Sequence, residues 1–172
     1  MTPEDFAAAV RELLASVAAM TLATCADGRP WATDVYFAPR GYDLIFFSSK
    51  ASRHGRNLAA HPACAATVHP EAAAWREIRG LQLEGEARPV AGLAAKAAAT
   101  AAYLAKFPFA AAMLAGTGET AAKTASVAPH RFRPSRIRYL DNRLGFGARY
   151  VVALADGRPL GPPEADDGDD PA

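Results

Sequence analysis

The segment Phe46–Pro62, FFSSKASRHGRNLAAHP, concentrates groups that bind anions. A strand pattern ends in Ser48-Ser49, Lys50 follows, and a helix pattern opens at Ser52-Arg53-His54. The start of a helix presents backbone N–H groups without intrahelical acceptors, at the positive end of the helix dipole. Ser52 adds a hydroxyl, Arg53 a planar fork of donors, and His54 a donor or a cation. A phosphate monoester would meet hydrogen bonds and charge here together. The same residues also read as a capped surface helix with solvated bases, and spacing alone leaves both readings open.

Trp31, Tyr36, Phe46 and Phe47 fall on what read as adjacent hairpin strands. Side chains alternate along a strand, so about half of these rings fill a core and half face outward, where a planar ligand could lie. His61, His69 and His130 have no HxxxH or HExxH spacing, so no metal site is expected. No GxSxG, Walker or GxGxxG pattern occurs, and Gly145-Phe146-Gly147 reads as an irregular turn. Cys25 and Cys64 sit in apolar runs and read as buried free thiols, which fits a reducing cytoplasm.

Positioning these groups requires a scaffold, and the pattern supplies one. Thr2-Pro3-Glu4-Asp5 combines an N-cap hydroxyl, a first-turn proline and acids at the positive dipole end. With Phe6, Val10, Leu13, Leu14 and Val17 at helical spacing, it predicts a helix over 3–17. Apolar runs at 20–26, 31–38 and 43–49 are separated by the turn signals Asp27-Gly28 and Pro39-Arg40-Gly41, which make an antiparallel meander. That excludes a doubly wound parallel sheet, whose crossovers are long. A short helix over 52–60 ends before Pro62. Strands follow at 63–69 and 77–89, where Gly80 and Gly85 mark a bulge or a close approach. Helices at 91–106 and 108–115 form an insertion, 116–128 is loop, and strands return at 131–140 and 150–154. The order predicts a mainly β with α (α+β) domain whose six to seven antiparallel strands close into a barrel, removing exposed edges.

A chain of 172 residues, 51% hydrophobic and 22% charged, suits one globular domain. Its net charge of +1 is a sum of unlike parts: the last nine residues, from Glu164, hold five acids and no base. The rest sets thirteen acids against nineteen bases, most of them arginine. Such a body suits small anionic ligands and falls short of a nucleic-acid binder's charge. No apolar run approaches the roughly 18 residues of a membrane span, and no signal peptide is legible, so a cytoplasmic protein is expected. The expected organisation is one domain over 1–160 and an acidic, disordered tail over 161–172.

With its strand context, FFSSKASRHGRNLAAHP resembles the phosphate-binding segment of the pyridoxamine 5′-phosphate oxidase-like, FMN-binding split-barrel superfamily. The upstream ATCADGRPWATDVYFAPRGYDLIFF resembles that family's first three strands, and WREIRGLQLEGEARPV its fifth. IRYLDNRLGFGAR resembles a subgroup of small uncharacterised relatives, so the likeness spans about residues 5–152. It implies a split β-barrel with an N-terminal helix and a helical insertion. It also implies a homodimer with FMN at the subunit interface and flavin-based oxidoreduction of an unspecified small molecule. Ser52, Arg53 and His54 then correspond to phosphate contacts. Phe47 and Ser48 fall at the ribityl chain and ring, with Ser49 beside them as a further cofactor contact, Thr33, Asp34, Val35 and Tyr36 along the isoalloxazine edge, and Arg79 and Gln82 on the fifth strand. Thr33 stands where the oxidase has arginine, Gly80 where it has glutamine, and His54 where it has lysine. A non-catalytic flavin sensor, and haem or deazaflavin in place of FMN, are the alternatives on the same barrel.

Overall fold

The computed structural model describes residues 1–115 and 126–166. The N-terminal helix α1 (Pro3–Ser16) starts where the capping pattern placed it, with the Thr2 hydroxyl accepting from the Asp5 amide at 3.1 Å. Its apolar face, Phe6, Val10, Leu13 and Leu14, is buried. The meander follows as β1 (Ala19–Ala26), β2 (Arg29–Arg40) and β3 (Asp43–Ser49), then α2 (Arg53–Ala60) and β4 (Ala63–Val68). A 3-10 turn at Trp75–Glu77 leads into β5 (Arg79–Pro89). The insertion comprises α3 (Leu93–Lys106) and α4 (Ala110–Leu114). The chain returns as β6 (Val127–Asp141), β7 (Arg149–Ala155), β8 (Arg158–Pro159) and β9 (Glu164–Ala165).

The strands run β3-β2-β1-β4-β5-β6, and β6 pairs back onto β3. This closes a six-stranded antiparallel barrel, with β7 continuing from β6 and the two short strands attached to β7. Leu22, Phe37, Leu44, Phe46, Leu81, Phe132, Ile137 and Tyr139 fill the interior together with the buried face of α1. Burying each large apolar side chain contributes about 1.5–3 kcal/mol. Gly85 marks the bulge anticipated in β5: the register shifts between Glu84 and Gly85, and a Cβ there would stand 2.2 Å from the Arg133 carbonyl.

The barrel splits at one end. β1 pairs with β2 from Ala19↔Tyr36 down to Ala26↔Arg29, but β2 and β3 pair only as far as Phe37↔Phe46. Beyond that point β3 stays on β6, through Ser49↔Val127. α2 packs on β1, β2 and β5, sends Leu58 into the core, and covers this end.

β6 begins four residues earlier than its pattern suggests, because Val127–His130 gain a distant partner in β3. The insertion packs on the outer face of β2 and β3, where Ala38, Tyr103, Phe107 and Ala110 form a second small core. Residues 116–125, most of the expected 116–128 loop, lie outside the described residues. Where the tail was expected to be disordered, Glu164–Ala165 instead pairs with β7; residues 167–172 lie outside the described residues. Both cysteines were expected to be buried; Cys64 is only partly buried, and Cys25 is exposed on the outer face of β1. No helix among the described residues is long and apolar enough to cross a membrane.

Candidate phosphate site at the start of helix α2

Ser52 caps α2. Its Oγ accepts from the Gly55 amide at 3.0 Å and donates to the Ser49 carbonyl at 2.7 Å. The cap thereby ties the first turn of α2 to the end of β3. Gly55 permits the close approach, since a Cβ there would lie 2.4 Å from the Ser49 carbonyl oxygen. The Ser49 hydroxyl binds the Ala51 amide at 3.1 Å and the Ser126 hydroxyl at 2.8 Å. At the other end of the helix, Asn57 donates to the buried Thr24 hydroxyl at 3.0 Å, fixing α2 to β1. The N–H groups of Arg53 and His54, the first two of the helix, have no intrahelical acceptor.

His54 Nε2 lies 2.5 Å from Ser48 Oγ and 3.2 Å from Ser52 Oγ. Ser52 gives its only proton to Ser49, so Ser48 is the hydroxyl that donates to a neutral His54. Burial pushes the His54 pKa below its ordinary value of 6.5, and nearby His130 lowers it further. His130 is buried against Phe46, with ring centroids 5.3 Å apart, and its Nδ1 donates to the Ala128 carbonyl at 3.0 Å. Burial lowers its pKa too; the Ala128 bond opposes that, and the Lys50 ammonium adds to it. Two imidazoles and an ammonium thus share one corner, and the imidazoles are neutral near pH 7.

Arg53 is exposed, and its Cζ lies 4.4 Å from the centroid of the Trp31 ring. Among the described residues its guanidinium has no hydrogen bond or ion pair. The other arginine of α2, Arg56, donates to the Ala51 carbonyl. The open donors of Arg53 and the first two amides of α2 fit the oxygens of a phosphate ester.

Alternation divides the other expected site residues. Val35 is buried in the core and Thr33, opposite Leu22, shares its inward parity. Asp34 and Tyr36 face outward; Asp34 accepts from the Thr21 hydroxyl at 2.7 Å. Tyr36 stays 53% exposed, edge-on to Phe107 at 5.5 Å. Phe47 is covered by the chain's own insertion, 4.8 Å from Tyr103. Arg79 and Gln82 lie on β5, on the far side of the barrel from β2. There Arg79 pairs with Glu12 of α1 at 2.8 Å, and Gln82 accepts from Arg138 at 3.4 Å. Within one chain they do not join Ser48–His54. Sequence reasoning set His130 aside and left Gly55 unread. The alternation of His130 with Phe132 on β6 was a signal for the first, but its approach to His54 is made by barrel closure. Among the described residues no group of three or more His, Cys, Asp or Glu could hold a metal ion.

A closed six-stranded antiparallel barrel split at one end, with the start of α2 in the split, defines the class of split-barrel proteins. The chain belongs to the pyridoxamine 5′-phosphate oxidase family, whose model matches residues 6–140. It is 27% identical over 147 residues to the UPF0306 protein YhbP of Salmonella arizonae, covering 84% of this chain and 91% of that one. Its structure is similar to that of a haem-binding protein from Mycobacterium smegmatis, with a TM-score of 0.68 and 26% identity over 83% of this chain. The chain spans about half of that protein's length, 55%. It also shares the fold of a pyridoxamine 5′-phosphate oxidase-related, FMN-binding protein from Nostoc punctiforme. There the TM-score is 0.65 at 14% identity, over 95% of this chain and 96% of that one.

Proposed function

We propose that this chain is an FMN-binding flavoprotein and an oxidoreductase of the cytoplasm. The carrying observation is the set of donors at the start of α2 that have no acceptor among the described residues: the Arg53 guanidinium and the first two amides. The phosphate is assigned to Ser52, Arg53 and His54, and the ring side to the outward residues Asp34, Tyr36 and Ser49. Bound flavin would supply the hydride chemistry; the protein binds, orients and shields it.

The active unit in this reading is a homodimer. Ala32, Ala23 and Ala65 stand in register across β2, β1 and β4, all exposed on one outer face. A face of small apolar side chains suits a second sheet packed against it, and a second copy would bring Arg79 and Gln82 toward the partner's flavin. The likeness to the Mycobacterium smegmatis protein favours one other reading, haem on the same barrel.

The absorption spectrum of the purified protein tests these readings. Flavin bands, or their appearance with added FMN, are expected; a Soret band would replace FMN by haem, and a colourless protein that takes up neither would refute both. Reduction of the bound flavin by NADH or NADPH separates an oxidoreductase from a flavin carrier.

A further inference from the structure

We propose that Trp31 is a positioning residue that holds the Arg53 guanidinium ready for the cofactor's phosphate; this rests on the flavin reading above. Arg53 is the first residue of α2, and the Trp31 ring is the one partner its guanidinium has among the described residues. A guanidinium stacked on an aromatic face is held by its flat side, while its N–H donors lie in its plane. Stacking therefore orients the group without consuming a donor. An exposed arginine without such support would have to be ordered by the ligand itself.

The ring is placed by the same buried contacts that place α2. Trp31 stands opposite Thr24 in the register of β1 and β2. The Thr24 hydroxyl accepts from Asn57 of α2 at 3.0 Å and faces the Trp31 carbonyl at 3.5 Å. One threonine thus links the strand carrying the ring to the helix carrying the guanidinium. Trp31 lies where β2 has parted from β3, and 38% of its surface is accessible, so its ring adds little to the barrel core.

The role predicts a defect specific to the phosphate. FMN and riboflavin share the ring and the ribityl chain, and only FMN carries phosphate. Dissociation constants for both are measured by quenching of flavin emission on the full chain, for wild type, Trp31→Phe, Trp31→Leu, Arg53→Ala and the Trp31→Leu/Arg53→Ala double variant. Trp31→Leu is expected to weaken FMN about tenfold and leave riboflavin unchanged, with Trp31→Phe in between, as a weaker ring for a cation. The double variant is expected to bind FMN no more weakly than Arg53→Ala, because both changes remove one interaction. Wild type that binds neither flavin overturns the flavin reading and this role with it. Wild type that prefers FMN, with that preference undiminished in Trp31→Leu and Trp31→Phe, overturns the role of Trp31 alone.

Discussion

Arg53 and His54 are neighbours at the start of α2 and would meet a phosphate differently. The contact of Arg53 with phosphate would be a charge-assisted hydrogen bond. Arg53→Ala is therefore expected to weaken FMN binding by about 1.5–3 kcal/mol at any pH near neutral, as read by titration. His54 is held neutral by burial and by His130, so a bound phosphate must draw a proton onto it. FMN affinity should rise as pH falls from about 8 toward 6.5, levelling when the phosphate itself takes a proton near about 6. His54→Lys should flatten that profile, and an unchanged slope in this variant would remove His54 from the phosphate site. Without ligand the sign for stability is opposite. Folded pKa values below 6.5 mean that the unfolded chain takes protons first. The stability present above pH 6.5 is therefore lost as pH falls through the folded values.

At the scale of elements, the site depends on where α2 sits and what fastens the insertion. Gly55 was legible as a helix residue, yet its necessity was not, because the carbonyl it must avoid belongs to Ser49. Gly55→Ala should push the first turn of α2 off β3 and destabilise the fold by about 1–3 kcal/mol in denaturant titrations, despite alanine's better helix propensity. The last turn of α1 has no basic residue of its own, and Lys106 at the end of α3 supplies one. Its Nζ donates to the carbonyls of Leu14 at 2.8 Å and Val17 at 2.6 Å, and stands 4.2 Å from the Phe37 ring centroid. Burial brings its pKa down to about 8. Lys106→Met should cost about 1–3 kcal/mol by stranding two carbonyls, and amide exchange should rise across α3. The sequence marked α1 and α3 as helices by periodicity but held no sign that one caps the other, since the contact joins residues 92 apart.

For the whole molecule, barrel closure brings β3 to β6 and so sets His130 beside His54, and it leaves the alanine face of β1, β2 and β4 uncovered. In the dimeric reading a long cationic side chain at the centre of that face prevents association. Ala23→Arg should turn a dimer into a monomer in sedimentation or light scattering and weaken FMN binding, while circular dichroism stays native. A wild-type monomer that binds FMN fully would refute the interface. The charge division seen in the sequence has a structural counterpart here: Asp166, in the acidic segment that starts at Glu164, pairs with Arg138 of β6.

By itself the sequence determined the elements, the antiparallel class and the cluster of donor residues at the start of α2, because capping, alternation and turn chemistry are local and act over a few residues. It also carried the family likeness, since that likeness resides in contiguous motifs. Only the tertiary structure decided which outward residues of β2 and β3 remain accessible. It covered Phe47 with Tyr103, set Arg79 and Gln82 on β5, opposite β2 in the barrel, and paired Trp31 with Arg53. Those outcomes depend on register and closure between distant segments, which no local pattern encodes.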